Sequence, residues 1–80
     1  MSRDSKDRYI GDLKDTIYQI YCRNQHLSDY YRRAARFAYE HDDKETGDAF
    51  IVRANGLLEA NDTIQKYLEA RGFRDILKGV

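Results

Sequence analysis

Apolar positions recur along this chain with the period of a helix, in three separate runs. Ile10, Leu13, Ile17 and Ile20 are spaced three, four and three apart. That is a seam on one face of a helix predicted from about Ser5 to Asn24. Leu27, Tyr30, Tyr31, Ala34, Phe37 and Ala38 give a broad inner face to a second helix, predicted over Asp29 to His41. The longest run lies between Asp42 and Gly72, where Phe50, Ala54, Leu57, Ile64 and Leu68 line one side. Asn61 occupies the one polar slot of that stripe. A row of this kind must be covered by something else.

With no proline in the chain, breaks must come from glycine, caps and polar clusters. Asn24-Gln25-His26-Leu27-Ser28 predicts the first turn, since Asn24 tolerates the left-handed conformation and Ser28 is a good N-cap. His41 to Gly47 predicts the second. Asp42 with Glu45 resembles a capping box there, and Thr46 is the competing N-cap. Asn55-Gly56 is a weak point, but the pattern resumes in phase at Leu57, so the third helix is read as continuous. Gly72 suits a left-handed helix end, with Phe73 placed to touch Leu68 and Arg71 suited to the helix dipole. Beyond it, Phe73, Ile76, Leu77 and Val80 predict a short amphipathic helix that folds back.

The predicted fold is all-α: one domain over residues 1–80, with 1–6 frayed, forming a three-helix bundle with a short C-terminal helix. Composition adds a second expectation. Leu, Ile, Val and Phe number 17 of 80, just above the level of roughly 20% below which chains tend to disorder. A core so short of bulk favours a partner that supplies the missing half. Self-association as a dimer through the first and third helices is expected, with Ile10, Ile17, Leu57, Asn61 and Ile64 in the interface. A lone Asn in a helix seam fixes register when it meets its counterpart, which places Asn61 near the dimer axis.

Charge and chemistry narrow the function by exclusion. Basic and acidic residues balance at 14 each, whereas dedicated nucleic-acid binders usually carry a basic excess. Residues 1–40 hold eight basic and six acidic side chains, and residues 41–80 hold six and eight. The lone Cys22 excludes an internal disulfide and fits a reducing cytoplasm. No apolar run follows the N-terminus and none reaches membrane-spanning length, so a cytoplasmic location is expected. Cys22 and His26 share a helical face, but a metal site would need His41 as a third ligand and there is no second Cys. No oxyanion-forming turn accompanies Cys22. The carboxylates Asp12, Asp15, Asp42, Asp43, Glu45 and Asp48 read as solvated polar faces and caps. No catalytic constellation, metal or cofactor is expected.

What remains is binding. Tyr30, Arg32, Arg33, Arg36 and Tyr39 concentrate on the second helix the two residue types most enriched in binding hot spots. They suggest a small non-catalytic adaptor or inhibitor, of phage or plasmid type, that docks on another protein. The alternative is a nucleic-acid or nucleotide binder in which Arg23, Arg32, Arg33 and Arg36 meet phosphates and tyrosines stack on bases.

Overall fold

The computed structural model describes residues 3–72. They form two long helices joined by a tight turn: α1 from Arg3 to Glu40 and α2 from Lys44 to Ala70. The helices lie side by side in an antiparallel hairpin about 59 Å long and 20 Å across. The protein is all-α, as its composition predicts, but it is not a three-helix bundle. The first and second predicted helices are one element of 38 residues. The short C-terminal helix expected at Phe73–Val80 lies outside the described residues, as does the Phe73–Leu68 contact.

The residues that signalled a break at 24–28 do other work. Asn24 uses its amide to donate from Nδ2 to Asn61 Oδ1 on α2, at 3.0 Å. Ser28 does not cap a helix; its hydroxyl donates to the Ala54 carbonyl at 3.2 Å. Without glycine or proline to force a turn, a helix already begun propagates at one hydrogen bond per residue. Residues read as local turn formers are therefore the ones that tie the two helices together.

The seam between the helices has a seven-residue repeat. Ser28 and Ala35 on α1, and Gly47, Ala54, Asn61 and Leu68 on α2, are all buried. Such a repeat keeps one stripe of each helix facing the other over many turns. Most of these side chains are small, so the backbones approach closely enough for Ser28 and Asn61 to reach across to main-chain carbonyls. Asn61 donates from Nδ2 to the Tyr21 carbonyl at 3.0 Å as well as accepting from Asn24. It is only 3% exposed, and a buried amide left without partners would cost about 1–3 kcal/mol.

The turn is defined by its left-handed residue. Asp42 has φ of 59°, with Asp43 N–H donating to the Ala38 carbonyl at 2.9 Å and Asp42 N–H to the Tyr39 carbonyl at 3.1 Å. This is the Schellman arrangement, with Asp where glycine is usual. The N-cap of α2 is Asp43, one residue past the predicted Asp42 and before the competing Thr46; its carboxylate accepts from Thr46 N–H at 3.2 Å. α2 runs unbroken through Asn55-Gly56. At its far end Gly72 has φ of 77° and its N–H donates to the Glu69 carbonyl, in the left-handed conformation expected of it.

The core is thin. Its buried apolar side chains are Ala35, Ala38, Ala54 and Leu68 among the described residues, and only Leu68 is large.

Candidate interaction surface

A helix in a two-helix hairpin covers one stripe and leaves the rest of its circumference open. On α1, Leu13, Ile20, Leu27 and Ala34 repeat every seven residues along one flank of the seam. Tyr9, Thr16, Arg23, Tyr30 and Phe37 lie one step further round on the same side. On α2, the matching flank carries Phe50, Leu57 and Ile64, then Arg53, Ala60 and Tyr67, then Ala49, Gly56 and Thr63.

Ring contacts join the two flanks into one surface. Tyr31 stacks on Phe50 across the seam, with centroids 5.9 Å apart and planes at 23°. Tyr30 meets Tyr31 edge-on at 5.9 Å, and Phe37 leans on His41 at 4.3 Å. A groove at the turn end is lined by Tyr30, Ala34, Phe37, Ala38, Thr46 and Phe50, with Arg33, His41 and Asp43 at its polar margin. Tyr30 and Phe37 are 66% and 65% exposed, and Leu13 and Ile20 are each 46% exposed. In a chain that is 35% charged, the charged side chains of this face among the described residues are Arg23 and Arg53 along its length and Arg33 and Asp43 at the turn-end groove.

The opposite face is more charged, although half-buried Tyr18, Ile51 and Leu58 lie along it as well. It presents Asp15, Cys22, Asp29, Arg32 and Arg36 from α1, and Asp48, Asn55 and Asp62 from α2. Tyr39 there donates its hydroxyl to Asp48 Oδ1 at 2.6 Å, and its ring lies over Gly47. A Cβ on Gly47 would come within 2.7 Å of that ring's Cδ1 and Cζ. The hydrogen bond to Asp48 holds the Tyr39 phenol above its ordinary range, with burial and the carboxylate's charge acting in the same direction. Lys66 and Asp62 pair at 2.9 Å on the solvent side, a contact worth little in stability.

The five residues expected to form one partner site are divided by this geometry. Tyr30 and Arg33 line the apolar groove. Arg32, Arg36 and Tyr39 line a shallower one on the other side, with Glu40 and Ile51. Of the expected dimer residues, Ile10, Ile17, Leu57 and Ile64 are half-buried along the seam margin that faces the apolar side. Asn61 stands apart from them. It lies in the seam between α1 and α2, accepting from Asn24 and donating to the Tyr21 carbonyl.

Candidate chemistry is dispersed. Cys22 and His41 are separated by roughly 28 Å of helix at the usual rise of about 1.5 Å per residue. The Tyr18 phenol is raised by its hydrogen bond with Cys22 on the same helix. Among the described residues no three of His, Cys, Asp and Glu stand close enough to hold a metal. No helix there is long and apolar enough to cross a membrane. No protein-family profile, curated protein or solved structure matches the chain.

The apolar flank of α1 left a trace in the sequence. Leu13, Ile20, Leu27 and Ala34 keep one seven-residue phase, which has meaning only if the helix does not break at Asn24.

Proposed function

We propose that the protein is a non-catalytic interaction module, and that its working surface is the apolar side of the hairpin. The observation that carries this reading is the run of Leu13, Ile20, Leu27, Tyr30 and Phe37 beside Phe50, Leu57 and Ile64 on one face, with few charges among them. Exposed apolar patches of this extent, rimmed by polar residues, mark surfaces that dock. Aromatic groups such as Tyr30 and Phe37 supply the large, rigid area on which hot spots depend. The partner is a protein with a complementary helical surface, and a second copy of the chain is one such partner.

Nucleic-acid binding has less behind it. Arg33 lies on one groove and Arg32 and Arg36 on the other, so the arginines of α1 do not make one basic track, and Asp29 and Glu40 are interleaved with them.

The test is cross-linking in native lysate, comparing the wild type with Leu27→Glu/Phe37→Glu and with Arg32→Ala/Arg36→Ala. Loss of a specific protein adduct in the first variant alone is expected. Loss in the second alone, or an adduct sensitive to nuclease, would overturn the reading.

A further inference from the structure

We draw no further inference here: the strongest candidate, the apolar face of the hairpin along Leu13, Ile20, Tyr30 and Phe37, is the docking surface already described, and nothing in the structure shows what covers it.

Discussion

The side-chain amide of Asn24 donates to the side-chain oxygen of Asn61 at 3.0 Å, across 37 positions of sequence. With Asn61 also bonded to the Tyr21 carbonyl, these two residues set the register of the hairpin. Their coupling is measurable. A double-mutant cycle of Asn24→Ala and Asn61→Ala should give an interaction energy of about 1 kcal/mol by urea unfolding. A coupling near zero would show that the pair does not hold the register.

Asn61→Leu is expected to behave differently from Asn61→Ala. Leucine fills the slot but leaves the half-buried Asn24 amide without its acceptor, so its loss should be smaller than that of Asn61→Ala while register specificity falls. Asn61→Ala should lose about 1–3 kcal/mol, because Asn24 is left facing a void. Denaturant midpoints separate the two, and equal losses would count against this account.

Gly47→Ala should destabilise, although alanine is better than glycine in a helix by about 1 kcal/mol. The new methyl meets the Tyr39 ring, which must swing away and give up Asp48. A net loss of about 1–3 kcal/mol is expected from this overpacking. A stabilised Gly47→Ala protein would show that Tyr39 moves at no cost.

The same contact predicts a pH dependence. Tyr39 has a folded pKa raised above its unfolded value of about 10. Its bond to Asp48 therefore contributes fully below that pH and is lost as pH rises through the raised value. Asp48→Ala should bring the Tyr39 titration down towards the ordinary range, followed by tyrosinate absorbance. The stability gap between wild type and variant should close in alkali. A gap that widens there would contradict the sign.

Asp42→Gly should stabilise. A non-glycine residue in the left-handed region costs about 1–2 kcal/mol, less for Asp than for most. Part of that is returned as extra freedom of glycine in the unfolded chain. A gain of about 0.5–1 kcal/mol in thermal unfolding is expected. A loss would mean that the Asp42 side chain stabilises the turn in its own right.

Continuity of α1 has its own observable. Amides 25–29 should show slow hydrogen exchange like their neighbours, because each is bonded within the helix. Fast exchange confined to that stretch would restore the predicted break.

The helical class, the unbroken run from Lys44 to Ala70 and the glycine stop at Gly72 were legible in the sequence, because each depends on local features: period, absence of proline, and one left-handed residue. The residues proposed for binding stood out in the sequence only as a type. Tyr and Arg stood out, but their division between two faces follows from the angle of each position around a helix whose seam was not known. The number of helices was decided elsewhere. Asn24 and Ser28 carry the same local preference for a turn whether or not one forms. What overrides it is the bonds they make to Asn61 and Ala54, far along the chain and near only in the folded hairpin. Sequence alone determined that this protein is helical and short of core. Tertiary structure decided that its polar small residues join two helices instead of ending one, because a buried amide or hydroxyl with a partner across the seam outweighs a weak preference to cap.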